Sequence, residues 1–333
     1  MRAFMVEQYK GPVREAEVPE PVVGEHDVLI EVRAAGLNQL DEKIRQGELR
    51  QVLRYELPLI LGHDVAGTVI ATGKAAKIFT PGDEVYARSS RIGTFAERIA
   101  VAEEDLARKP AGITFEEAAS LPLVALTAWQ ALVERANLQK GQRVLIHAGA
   151  GSVGTIAIQL AKHLGATVAT TVSAKDADFV RELGADEIID YRTQDFEQLL
   201  TGYDVVLDSL GGDNLAKSLK VLRPGGKAIG IADPPDQAFA KEVGANKLLQ
   251  LVMAVLSRRI RKQARQLGVT YEFLFMHATG NQLRSITELV DKGALRPVVR
   301  RVFGFDQTVP AMQSLATGGK TVISRTTQTG ESA

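Results

Sequence analysis

The 333-residue chain reads as a two-domain α/β protein, a mostly β domain followed by a doubly wound parallel sheet. Three observations predict this. The length exceeds one hydrophobic core, since roughly 150 residues per domain is a usable prior. Up to about Pro122, short apolar alternations are separated by Gly, Pro, Asp and Asn. From Arg143 to Ile231, short apolar runs alternate with helical segments, the pattern of parallel strands covered by helices on both faces.

In the first domain, Val28–Val32, Val65–Ala71, Glu84–Ala87 and Phe95–Val101 have strand alternation with turn chemistry between them. Around Ala118–Val133, Ala119, Leu123, Leu126 and Leu132 recur at helical spacing, and a domain boundary is placed there. The second domain is predicted to hold strands at Arg143–Ala148, Thr167–Val172, Glu187–Ile189, Asp204–Asp208 and Lys227–Ile231, with helices starting at Ser152, Asp176 and Asn214. A Pro-Pro turn then breaks the rhythm, and one long helix is expected over Lys247–Arg265. Its basic run, Arg258–Lys262, suits the last turns of a helix, where cations complement the macrodipole; the alternative is a membrane or nucleic-acid patch. Val269–Phe275 reads as one more strand and the last of this sheet. A helix over Leu283–Lys292, alternation at Val298, Val302 and Phe303, and a strand Thr321–Ser324 return to the character of the first domain. The polar end, Thr326–Ala333, is expected to be disordered.

Composition excludes several classes. Forty basic and forty acidic residues cancel, so no net positive field favours nucleic acid or anionic lipid. The most apolar stretch, Leu248–Leu256, is about half the length of a bilayer-spanning helix, and neither a nucleic acid nor a membrane is expected as a partner. Met1–Lys10 lacks the features of a secretory signal, and a cytoplasmic protein is expected. With no cysteine, disulfides, thiolate nucleophiles and sulfur-built zinc sites are impossible.

The strongest local signal is Gly149-Ala150-Gly151-Ser152-Val153-Gly154, which follows the apolar Val144-Leu145-Ile146 and opens a helix. In that context a dinucleotide is expected. Gly149 serves the tight turn, Gly151 the approach of a pyrophosphate, and Gly154 the packing of helix on strand. The next strand ends Val172-Ser173-Ala174-Lys175 without an acidic residue. Ser173 and Lys175 then favour the extra phosphate of NADPH. Asp176 and Asp178 are read as first-turn helix residues. Tyr191 serves the adenine or that phosphate, or is a surface aromatic.

Several separated motifs appear in one order: Gly36-Leu37-Asn38-Gln39-Leu40-Asp41, Leu61-Gly62-His63-Asp64-Val65-Ala66-Gly67, Pro81-Gly82-Asp83-Glu84-Val85, Gly93-Thr94-Phe95-Ala96-Glu97 and Ala118-Ala119-Ser120-Leu121-Pro122. Beyond the glycine turn come Leu183-Gly184-Ala185-Asp186, Asp208-Ser209-Leu210-Gly211-Gly212 and Lys292-Gly293-Ala294-Leu295-Arg296-Pro297. Together they resemble the zinc-free medium-chain dehydrogenase/reductase superfamily, in particular its NADPH quinone and enone oxidoreductases. The resemblance implies a GroES-like catalytic domain from residues 1–123 and 278–333, with a Rossmann NADP-binding domain at 124–277 and the active site in the cleft between. It also implies cofactor contacts at Thr127, Ser209, Leu210 and Phe275, and a homodimer in which the edge strand buries Tyr271, Phe273 or their neighbours, the alternative being an edge covered by the helix Lys247–Arg265.

Zinc-dependent relatives use cysteines that this chain lacks. His63 is read as a hydrogen-bonded residue at the floor of the cleft or as a polar contact to substrate, and no metal is expected. Without a Lewis acid, alcohol oxidation is disfavoured. Substrates with their own electron sink, quinones and α,β-unsaturated carbonyls, can accept a hydride in an apolar cleft. Asn38 lies near substrate by resemblance, and its amide orients a carbonyl or holds the loop. Tyr55 is a proton donor, an aromatic wall or a packing residue. The alternatives are a 2-enoyl thioester reductase and a low-turnover NADPH-binding redox sensor.

Overall fold

The computed structural model describes every residue except Arg54, Asp233, 316–318 and 326–333. The tail expected to be disordered lies outside the described residues. Strands in the first part of the chain are β1 (Arg2–Val6), β2 (Arg14–Glu17), β3 (Asp27–Leu37), β4 (Leu59–Ile60), β5 (Asp64–Thr72), β6 (Glu84–Arg88), β7 (Arg98–Ala102) and β8 (Leu106–Arg108). The middle contributes β9 (Arg143–Ile146), β10 (Thr167–Val172), β11 (Glu187–Asp190), β12 (Tyr203–Asp208), β13 (Leu222–Gly230) and β14 (Thr270–Phe273). The tail adds β15 (Arg301–Gly304) and β16 (Thr321–Ser324). Two compact units result: Met1–Leu126 with His277–Ala333, and Thr127–Met276.

In the first unit the main sheet runs β15-β16-β3-β5-β6-β8, with β7 also paired to β3, and β2-β1-β4 form a smaller sheet. The antiparallel pairing of β16 with β3 sets Thr321 opposite Leu37 and Val322 opposite Gly36. The tail thereby completes the sheet begun nearly three hundred residues earlier. Val28, Ile30 and Val32, alternate residues of β3, are buried with Phe4, Leu61, Phe95 and Leu106. Each such side chain contributes about 1.5–3 kcal/mol by leaving water. The strand expected from Phe95 begins instead at Arg98. Phe95 is drawn to β1, where its carbonyl accepts from the Phe4 amide at 2.8 Å and Ala96 bridges Ala3.

The second unit has one sheet, β11-β10-β9-β12-β13-β14, and every neighbouring pair is parallel. Numbered from its own first strand this order is 3-2-1-4-5-6, the doubly wound dinucleotide-binding arrangement. Val144, Leu145 and Ile146 of β9 are all buried, as expected for a strand covered on both faces.

The helix expected over Lys247–Arg265 is two helices, Lys247–Leu256 and Arg258–Gln266. Ser257 separates them. It is buried, and its hydroxyl donates to the Met253 carbonyl at 2.8 Å, a side-chain bond that bends helices. The basic run Arg258–Lys262 therefore starts the second helix rather than ending the first. At that end the macrodipole disfavours cations, so the helix-end explanation does not hold.

Strand β14 forms the sheet edge. Tyr271 is buried within its own unit, with its hydroxyl on the Pro234 carbonyl at 2.7 Å. Of the residues expected to be buried by a second subunit, Tyr271 is thus already covered by its own unit. Phe273 packs edge-on against Phe239 at 5.1 Å.

Candidate active site

Because the strands of the second unit are parallel, the loops at their C-terminal ends share one edge of the sheet. Gly149–Gly154 follow β9, Ser173 and Lys175 follow β10, Tyr191 follows β11, Ser209 and Leu210 follow β12, and Phe275 follows β14. Ligands of open α/β sheets bind at this edge. Thr127 follows none of these strands; it is buried in the helix Pro122–Trp129.

The glycine turn fits a pyrophosphate. A Cβ on Gly149 would lie 2.1 Å from Thr170 Oγ1, and one on Gly154 only 2.3 Å from the Ala148 carbonyl oxygen. Beside Gly151 only Ala148 comes within 4 Å, which leaves room for a ligand. The left-handed residue of the turn is Ala148, at φ 52°; Gly149 is required by contact with Thr170. The following helix, Ser152–His163, has no side-chain cap. Its first amides and the positive end of its dipole are thus available to an anion.

A buried network beneath the edge holds this geometry. His147 meets Thr171 Oγ1 through Nδ1 at 3.0 Å and Ser218 Oγ through Nε2 at 2.8 Å. The Ala148 amide donates to Thr171 Oγ1 at 3.2 Å, and Ser218 donates to Asp208 Oδ2 at 3.1 Å. Asp208 Oδ1 accepts from the Leu210 and Gly211 amides at 3.0 and 2.7 Å. Burial pushes the His147 imidazole below its ordinary pKa, and the bonds are satisfied by the neutral ring with its proton on Nε2. The network ties the glycine turn to the Ser209–Gly211 loop. Sequence reasoning missed it, since the histidine has no motif of its own.

At the end of β10, the Ser173 hydroxyl donates to Asp176 Oδ2 at 2.9 Å, so its proton is already committed. Asp176 lies just before the helix Ala177–Glu182 and does not cap it, whereas Asp178 lies in its first turn and pairs with Arg181. Lys175 is exposed. The amide of Tyr191 donates to the Val172 carbonyl at 3.1 Å, which brings Tyr191 and Arg192 beside this strand end. Arg192 lies over the Tyr191 ring at 5.9 Å. This second cation escaped the sequence reading because it follows a different strand.

In the first unit, Asn38, Asp41, His63 and Asp64 converge with a residue that sequence reasoning did not single out, Lys320. The Lys320 ammonium donates to Asn38 Oδ1 at 2.7 Å and to Asp64 Oδ2 at 2.8 Å. Asn38 Nδ2 donates to Asp64 Oδ2 at 3.0 Å, and the Leu123 amide donates to Asp64 Oδ1 at 2.9 Å. Asp41 accepts from the Asn38 amide at 2.8 Å and joins His63 Nδ1 at 2.8 Å. All five side chains are buried. Of the two roles open to Asn38, the structure thus favours holding its loop.

These donors do not fit a zinc ion. Both oxygens of Asp64 are taken, and a buried ammonium already supplies its counter-charge. His63 Nδ1 is on Asp41, and among the described residues no three His, Asp or Glu side chains converge as ligands. Three buried polar atoms beside this cluster have no partner among the described residues: His63 Nε2, Arg88 Nε and Thr94 Oγ1. They share one neighbourhood. Arg88 pairs across the sheet with Asp64, the Ser89 amide donates to the His63 carbonyl, and the Thr94 amide donates to the Gly62 carbonyl. Gly62, at φ 98°, has no room for a Cβ beside Thr94 Oγ1. Burial lowers the pKa of the Arg88 guanidinium, opposed by Asp64. Tyr55 is half-buried, and burial raises its phenol pKa while the nearby Arg88 cation opposes the rise.

Residues 24–111 match the alcohol dehydrogenase GroES-like domain, and residues 183–323 match the zinc-binding dehydrogenase family. The chain is 37% identical over 325 residues to an NAD(P)H oxidoreductase of Danio rerio named as mitochondrial, covering 90% of this chain and 84% of that one. It is 39% identical over 277 residues to a chloroplastic NADPH-dependent alkenal/one oxidoreductase of Arabidopsis thaliana, covering 78% and 71%. The structure of a quinone oxidoreductase from Coxiella burnetii superposes with a TM-score of 0.82 at 32% identity, over 97% of this chain and 99% of that one. With the GroES-like sheet, the 3-2-1-4-5-6 nucleotide sheet and relatives matched along most of their length, the chain belongs to the medium-chain dehydrogenase/reductase superfamily.

Proposed function

We propose that the chain is an NADPH-dependent oxidoreductase that transfers a hydride to a quinone or an α,β-unsaturated carbonyl without zinc. The observation that carries this reading is the glycine turn shaped for a pyrophosphate, with Lys175 and Arg192 at the neighbouring strand ends as partners for a ribose phosphate. The names of the relatives support the substrate class.

Gly149–Gly154 would hold the pyrophosphate, and Tyr191, Ser209, Leu210 and Phe275 would border the cofactor. When bound, the nicotinamide supplies the hydride. The substrate oxygen would receive the displaced electron pair, and Arg88, a cation without an ion pair among the described residues, would stabilise that charge, with the Tyr55 hydroxyl as a second donor. Solvent supplies the proton. The Lys320–Asp64–Asn38 and Asp41–His63 bonds act as positioning contacts beneath these groups.

A screen of quinones, alkenals and enoyl thioesters, followed by NADPH consumption, tests the proposal. Turnover of a quinone or alkenal is expected. Turnover confined to enoyl thioesters, or binding of NADPH with no turnover, would refute it. We also propose a cytoplasmic homodimer joined through β14, whose outer side is the sheet edge. A monomer in sedimentation at micromolar concentration would contradict that assembly.

A further inference from the structure

The helix Lys247–Leu256 faces outward to an unusual degree. Its apolar residues Leu248, Leu251, Val252, Val255 and Leu256 are between 43% and 71% exposed. Their spacing, i, i+3, i+4, i+7 and i+8, makes them one stripe, while Met253 anchors the other side in the unit. Asn246 caps the helix by accepting from the Leu249 amide at 2.9 Å.

Beyond the bend at Ser257, the helix Arg258–Gln266 buries Ile260 and Ala264 and exposes Arg258, Arg259, Arg261, Lys262 and Arg265. With Lys247 these are six exposed cations, and no acidic residue occurs from Lys247 to Gln266. None of the six forms an ion pair among the described residues. In a chain of zero net charge, this is a local concentration of unpaired positive charge beside an apolar stripe.

We propose that these two helices dock the protein on an anionic phospholipid surface. The stripe enters the boundary between head groups and acyl chains, and the cations pair with lipid phosphates. The ten-residue helix is about 15 Å long, too short to span a bilayer, and therefore lies in the plane of the surface. A second copy fits the patch poorly, because two-fold pairing of one face sets its cations against their own duplicates. An anionic membrane answers both features at once. The inference goes beyond the proposed reaction and holds whichever carbonyl is reduced.

Vesicle flotation of the full chain tests it. The protein should float with vesicles of phosphatidylcholine and phosphatidylglycerol, stay behind with phosphatidylcholine alone, and be released by high salt. Leu251→Glu/Val255→Glu should abolish flotation. Arg258→Gln/Arg259→Gln/Lys262→Gln should lower the partition coefficient about a hundredfold, from a factor of about five per cation. Both variants change exposed side chains and should retain NADPH binding, which reports their folding. No flotation of the parent chain, or flotation unchanged in both variants, would overturn the proposal. So would a parent dimer that Leu251→Glu/Val255→Glu turns into monomer, since the occupant would then be a second copy.

Discussion

Replacing Lys320 by Met removes the only cation bonded to Asp64 among the described residues. The carboxylate is fully buried and Lys320 is 2% exposed, so solvent does little to screen the loss. Removing one partner of a buried pair costs about 3–5 kcal/mol, because the remaining charge is left uncompensated. Asp64 keeps the Leu123 amide and the Asn38 amide, which places the cost near the lower limit, about 3 kcal/mol. For a unit of this size each kcal/mol moves Tm by about 2–4 °C, so a fall of about 6–12 °C is expected. Calorimetry reads it. Trp129, the sole tryptophan, lies in the other unit, and its fluorescence transition reports whether the loss is confined to the first. Adding Asp64→Asn should restore most of the stability, since it removes the stranded charge. A shift below about 2 °C, or a double variant no more stable than the single one, would refute the account of Lys320 as counter-charge.

Lys175→Ala should narrow the preference for NADPH over NADH, and Lys175→Ala/Arg192→Ala should narrow it further; fluorescence titration with both cofactors measures this, and equal affinities in the unmodified chain would contradict the assignment. Activity should survive exhaustive chelation, and stoichiometric zinc by elemental analysis with activity lost on its removal would contradict the reading of the His63 cluster. His147 has a folded pKa below its ordinary 6.5, so the unfolded chain binds the proton first as pH falls. Its stabilisation is complete above pH 6.5 and is lost below it, by at most about 1.4 kcal/mol per pH unit. Urea unfolding of the parent chain and His147→Gln should therefore show a difference that shrinks below pH 6.5, and a constant difference would count against a neutral buried ring.

The sequence by itself determined what depends on neighbours along the chain. Hydrophobic period marked β10 at its observed ends and placed β16, because alternation records which face of a strand is buried. The glycine turn was legible because strand, turn and helix are contiguous. Local reading also misplaced details within that range. The strand expected from Phe95 begins at Arg98, and Ser257 divides a helix whose apolar and basic segments look continuous.

Only the tertiary structure decided the contacts between distant residues. Lys320 lies 282 positions from Asn38 and 256 from Asp64, and nothing near Thr321 in the sequence announces a counter-ion. Antiparallel pairing of β16 with β3 brings it there, beside a Gly36 whose absent side chain leaves space for the lysine stem. Arg88 likewise looks like one more polar residue ending a strand; it becomes a candidate for charge stabilisation only when folding buries it opposite Asp64 without a hydrogen-bond partner among the described residues. Burial and pairing are properties of the packed sheet, and a local pattern records them only where the partners are also local.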